Sequence, residues 1–153
     1  MNLKLSFSWA GLVVFALPML INIVYVLLPP ADSPAEAASV TRWVEWIEKG
    51  SRIGYLLAVA FLVSDRPISW RSAWLYLAAV FLILYYVVWL RYFIGGRKVA
   101  LLNEPFLCVP MPLEVFPVLY FLCAAVWLHN IPAVVLMVIF GAAHLTVSIQ
   151  SFY

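Results

Sequence analysis

Apolar residues run through this chain in five long blocks, with most polar residues gathered between them. The blocks cover roughly 7–28, 51–64, 70–93, 112–128 and 131–152. Each is continuously apolar rather than alternating, which favours helices over strands. A helix needs roughly 17–25 mostly apolar residues to cross a bilayer. The first, third and fifth blocks meet that length, and the fourth sits at its short end. The second is too short alone, although its helical pattern begins near Val40. It spans only if the charged stretch 40–52 is counted or projects from the membrane. The pattern therefore predicts an all-α integral membrane protein. It is read as a compact bundle of about five transmembrane helices in one domain over 1–153. The count falls to four if the second block, with its amphipathic stretch around 40–52, lies at the interface.

The connections refine this picture. His129 and Asn130 leave room only for a tight turn before Pro132, so the last two blocks should form an antiparallel hairpin. Gly95 and Gly96 stop the third helix, and Pro112 suits the first position of the fourth. Trp70 and Trp74 lie at one end of the third block, Trp89 and Tyr92 at the other. Trp70 to Trp89 is roughly 28 Å of helix, the separation of two interfacial aromatic belts.

Composition excludes most other readings. Hydrophobic residues make up 67% of the chain and charged residues 10%, against about 25% charge in an ordinary soluble domain. The net charge of +2 is far too weak for a nucleic-acid footprint. Cys108 and Cys123 have neither CxxC nor metal-ligand spacing. The chain carries no phosphate-binding loop, nucleophile elbow or zinc-protease motif. No metal and no cofactor are expected. Ala35-Glu36-Ala37 resembles a signal-cleavage site, but the apolar run from Leu5 to Leu28 is long enough to stay as a membrane anchor.

Charge placement sets an orientation. Five antiparallel spans put Lys4, Arg66 and Arg71 on one side, A, and Arg42, Lys49, Arg52, Arg91, Arg97 and Lys98 on the other, B. The excess of Lys and Arg makes side B cytoplasmic, with the N-terminus outside and the C-terminus inside. All acids except Asp65 also fall on side B: Asp32, Glu36, Glu45, Glu48, Glu104 and Glu114.

Polar residues within the spans share this asymmetry. Asn22 and Tyr25, Tyr85, Tyr86 and Arg91, Glu114, and His144, Ser148 and Gln150 all occupy side-B halves. Polar groups in a span are costly unless they face protein or a water-filled cavity. The expectation is a polar cavity open to side B. Its candidate ligand-binding residues are Asn22, Tyr85, Arg91, Glu114, His144 and Ser148, with Glu48 and Arg52 at the entrance.

Each candidate also has a plainer role. Glu114 begins a helix, where the dipole favours a carboxylate, and it can pair with Arg91 or Arg97. His144 can hydrogen-bond Asn22 or a tyrosine. Arg91 can snorkel to headgroups. Asn22 can join helices one turn after Pro18, which frees the carbonyl of Val14. The Glu45, Glu48, Arg52 stripe reads most simply as a solvated face, with Glu48 and Arg52 at ion-pair spacing. Beside it, Gly50, Gly54 and Ala58 form a small-residue face suited to a homo-oligomer.

In size, span number and tryptophan content the chain resembles the tryptophan-rich sensory protein (translocator protein) family. The likeness is of architecture alone. In the first loop Pro29-Pro30-Ala31-Asp32 is followed by Ser33-Pro34-Ala35, without that family's Trp- and Pro-rich signature. No membership is assigned, and no residue role carries over.

The leading expectation is a membrane protein that binds a small or lipid-like ligand in the side-B cavity, with sensing or transport as extensions of that binding and transport the less favoured, because few polar groups reach side A. A second is an intramembrane enzyme acting on a lipid or isoprenoid, with Glu114 and His144 as acid and base. A third is an accessory subunit of a larger membrane complex. The sequence leans away from an enzyme.

Overall fold

The computed structural model describes residues 2–32 and 40–152, the side chains of residues 103 and 152 excepted. Glu36 and the Ala35-Glu36-Ala37 motif lie outside the described residues. The order is β1 (Leu3–Leu5), α1 (Trp9–Leu27), α2 (Arg42–Phe61), β2 (Leu62–Ser64), α3 (Ala73–Ile94), α4 (Ala100–Asn103), α5 (Pro112–Trp127) and α6 (Ile131–Phe152).

Local signals start and stop these helices. The Ser8 hydroxyl accepts from Gly11 N–H at 3.0 Å, capping the first turn of α1. Ser72 does the same for α3 through Trp74 N–H. Gly96, at φ +84°, lets the chain leave the end of α3. Pro112 opens α5, where a missing N–H costs nothing.

The turn between α5 and α6 is tight, with three residues, Leu128, His129 and Asn130, between the helices. His129 takes φ +52°. Asn130 accepts from Ala133 N–H at 3.0 Å and donates to the carbonyls of Ala58 and Leu62, both at 2.8 Å. One buried amide thus caps α6 and ties the hairpin to the end of α2.

The bundle is mostly helical, as expected, with one short strand pair beside it. Leu3, Lys4 and Leu5 pair antiparallel with Ser64, Val63 and Leu62. The lacing continues as Ser6 N–H donates to Phe61 and Ser8 N–H to Ala60. The second apolar block therefore stops being helical at Phe61. Its last residues pair with the N-terminal segment, which satisfies backbone groups that a helix end leaves open.

Packing follows small residues. Helix α2 lies along α6, α3 along α5, and α5 against α6. A Cβ on Gly11 would fall 1.8 Å from the Val59 carbonyl oxygen, so α1 and α2 touch backbone to backbone. Gly54 lies against Leu136 of α6, Ala58 is buried in the core, and Gly50 is open. The small-residue face thus serves packing within the chain at two of its three positions.

Pro18 removes the N–H that would bond to Val14, and the Tyr120 hydroxyl of α5 donates to that carbonyl at 2.8 Å. Tyr55 of α2 donates to the Phe121 carbonyl at 2.8 Å. Buried tyrosines thus complete the backbone accounting while filling the core.

Helices α1, α3 and α6 are long and apolar enough to cross a membrane, and α5 is apolar over 16 residues. Their outward faces expose Val13, Ile23, Val26, Ile83, Leu90, Val135 and Val138. Apolar exposure on this scale matches a lipid environment rather than water.

Candidate functional site

One cavity of about 390 Å³ is walled by all five long helices and α4. Helix α1 contributes Met19, Asn22 and Tyr25, and α2 contributes Arg52. Helix α3 adds Tyr85 and Trp89, α4 adds Leu102, α5 adds Leu113, Glu114, Pro117 and Phe121, and α6 adds Phe140 and His144. The volume lies within the range of small-molecule sites, about 300–1,000 Å³.

Its polar groups come in two sets. The first is a network across α2 and α6. Glu48 is buried, at 6% exposure. Its Oε1 lies 3.0 Å from His144 Nδ1 and also accepts from the Arg52 guanidinium. The Arg52 guanidinium carbon sits 5.3 Å over the Phe140 ring, and Phe140 stacks on His144 at 4.9 Å. This corrects the reading of the stripe as a solvated face. Glu45 does face outward, pairing with Lys49 at 3.2 Å, but Glu48 turns inward. The expected partners of His144, Asn22 or a tyrosine, are replaced by a carboxylate on another helix.

The second set lies on α1, α3 and α5. Tyr85 donates to Asn22 Oδ1 at 2.9 Å, so these two satisfy each other and fix the wall. Glu114, at the start of α5, is nine-tenths buried. Its Oε2 is fully enclosed and has no hydrogen-bond partner. The expected pairing with Arg91 or Arg97 is not formed. A buried carboxyl oxygen without a partner is costly, and the residue that carries it lines the cavity.

Arg91, Ser148 and Glu48 do not line this space; Glu48 is linked to it only through its contacts with Arg52 and His144. Arg91 donates to the carbonyls of Leu101, Glu104 and Pro105 and lies 3.6 Å from the Glu104 carboxylate. It fastens α4 and the following turn to the end of α3. Ser148 is buried on α6, one turn beyond His144. Trp89, which the sequence places in an interfacial aromatic belt, is instead buried and forms a cavity wall. The three-to-four-residue spacing Tyr85, Trp89, Tyr92 was the available signal, since an anchor cluster does not need to be one inward face.

A second cleft of about 450 Å³ lies between α1, α3 and α5 around Trp9, Val13, Leu75 and Trp127. Its walls are almost wholly apolar, so it offers a ligand little orientation. No family model, curated protein or solved structure matches this chain.

Proposed function

We propose that this chain is a multi-pass membrane protein of five spans that binds a small or lipid-like ligand in the cavity beneath side B. The carrying observation is Glu114: its side chain lines a cavity of ligand size, and one oxygen of its buried carboxyl group has no hydrogen-bond partner among the described residues. Most buried polar groups find partners. One that does not, and that borders an open volume, is a place for a ligand atom. Asn22, Tyr85 and His144 supply further polar contacts, and Arg52 stands at the rim. In this reading α2 and α5 cross together with α1, α3 and α6, side B is cytoplasmic, and the N-terminus is outside.

Catalysis by Glu114 and His144 is a weaker reading. Both border the same cavity, but the histidine's hydrogen-bond partner is Glu48, and nothing links it to Glu114. Binding requires only the surfaces already described.

The test is a thermal-stability screen of the purified protein with small amphiphiles, run in parallel on wild type, Glu114→Gln and His144→Ala. At least one compound should stabilise wild type and lose its effect in both variants. Identical shifts in all three proteins would exclude the cavity as the binding site.

A further inference from the structure

The charged groups around the cavity are unevenly partnered. Arg52 is the one cationic side chain in its described lining, and it is bonded to Glu48. The Glu48 carboxylate and the Arg52 guanidinium offset each other, and His144 accompanies them as a hydrogen-bond partner. Glu114 stands apart, with no cation and no donor at Oε2. A buried carboxyl group stays ionised only beside a positive charge, so an occupant that pairs with Glu114 as a carboxylate carries one.

The walls near Glu114 say which kind of cation. Tyr25 and Trp89 have ring centroids 5.1 Å apart at 54°. Tyr85 meets Trp89 edge to face at 6.3 Å and 89°. Tyr25 and Tyr85 each pack on Trp89 at a steep angle, and all three residues line the cavity, giving it one aromatic wall. Aromatic faces attract alkylated ammonium groups, which are weakly hydrated, whereas a small inorganic cation needs a shell of oxygen ligands. Met19, Leu102 and Leu113 complete the lining with apolar surface suited to an alkyl chain.

We infer that the cavity takes an organic ammonium group, held by the Glu114 carboxylate and walled by Tyr25, Tyr85 and Trp89. The inference rests on the cavity being a ligand site. The ammonium can belong to a soluble amine or to an amine-headgroup lipid; the recognition chemistry is the same.

The experiment titrates the full chain in a neutral maltoside detergent with octylammonium and, separately, with octanol, following the thermal unfolding midpoint. Octylammonium should stabilise wild type saturably, and octanol should not. Glu114→Gln should weaken octylammonium at least tenfold, and Glu114→Asp, which keeps the charge, should retain part of the affinity. Equal action of the two compounds, with Glu114→Gln unaffected, overturns the ammonium inference. If Leu113→Trp, which fills the cavity, then abolishes both effects, the cavity remains a binding site for something neutral. No saturable effect of either compound on wild type overturns the ammonium inference as well. The amphiphile screen on His144→Ala then decides separately whether the cavity binds anything. Competition by ethanolamine in water identifies a soluble amine as the source. Competition only in nanodiscs containing phosphatidylethanolamine, and not phosphatidylglycerol, identifies a headgroup.

Discussion

Glu48 and His144 are 96 residues apart in the chain and 3.0 Å apart in space. Their contact joins α2 to α6 at the side-B end, where the carboxylate also holds Arg52. A hydrogen bond involving a charged group contributes about 1.5–3 kcal/mol. Glu48→Ala should therefore lower stability by roughly that amount. His144→Ala should add little in the Glu48→Ala background, because the two share one interaction. Chemical denaturation of the two single variants and the double variant in detergent measures this. Fully additive losses would show that the contact contributes nothing.

This pair also marks where sequence reading ran short. The stripe Glu45, Glu48, Arg52, Tyr55 was visible as one helical face. Periodicity states that a face is polar, not whether water or another helix meets it. Only the position of His144 on α6 decides that, and nothing local to residues 45–55 encodes it. The α5–α6 hairpin was legible because two residues and a proline leave one solution. Pro18 was legible as the source of a free carbonyl at Val14, but its partner Tyr120 was not. The β1–β2 pair escaped because three-residue apolar segments beside longer apolar runs have no period of their own. The fate of Arg91 depended on carbonyls in α4 and the turn after it, which no side-chain pattern announces.

Gly11 should be irreplaceable in a way Gly50 is not. Any Cβ at Gly11 meets the Val59 carbonyl, while Gly50 has nothing within 4 Å. Gly11→Ala should destabilise by about 1–3 kcal/mol through overpacking. Gly50→Ala should be neutral or stabilise by up to about 1 kcal/mol through helix propensity. Thermal unfolding midpoints of the two variants give the comparison, and equal effects would contradict the close approach of α1 and α2.

The Tyr120 hydroxyl exists in this account to serve the carbonyl that Pro18 leaves free. Tyr120→Phe should cost about 1–3 kcal/mol by stranding that acceptor. In a Pro18→Ala background, the new N–H bonds to Val14 within the helix, and the loss on removing the hydroxyl should shrink. The four-protein cycle measures the coupling; an unchanged loss in the alanine background would contradict it.

The two cysteines report orientation without any engineering. Cys108 is exposed in the loop before α5, and Cys123 is buried. With side B cytoplasmic, a membrane-impermeant maleimide should label Cys108 in inverted membrane vesicles or permeabilised cells but not in intact cells. Cys123 should stay unlabelled until the protein is denatured. Labelling of Cys108 in intact cells would reverse the orientation.

The central claim is that the space between Asn22, Tyr85, Glu114 and His144 holds a ligand. Its most direct test is an experimental density map of the protein purified in native lipid. Ligand binding predicts non-protein density in that space, within hydrogen-bond distance of the Glu114 carboxyl group. Side chains closing the space, or an Arg91 or Arg97 guanidinium paired with Glu114, would contradict it.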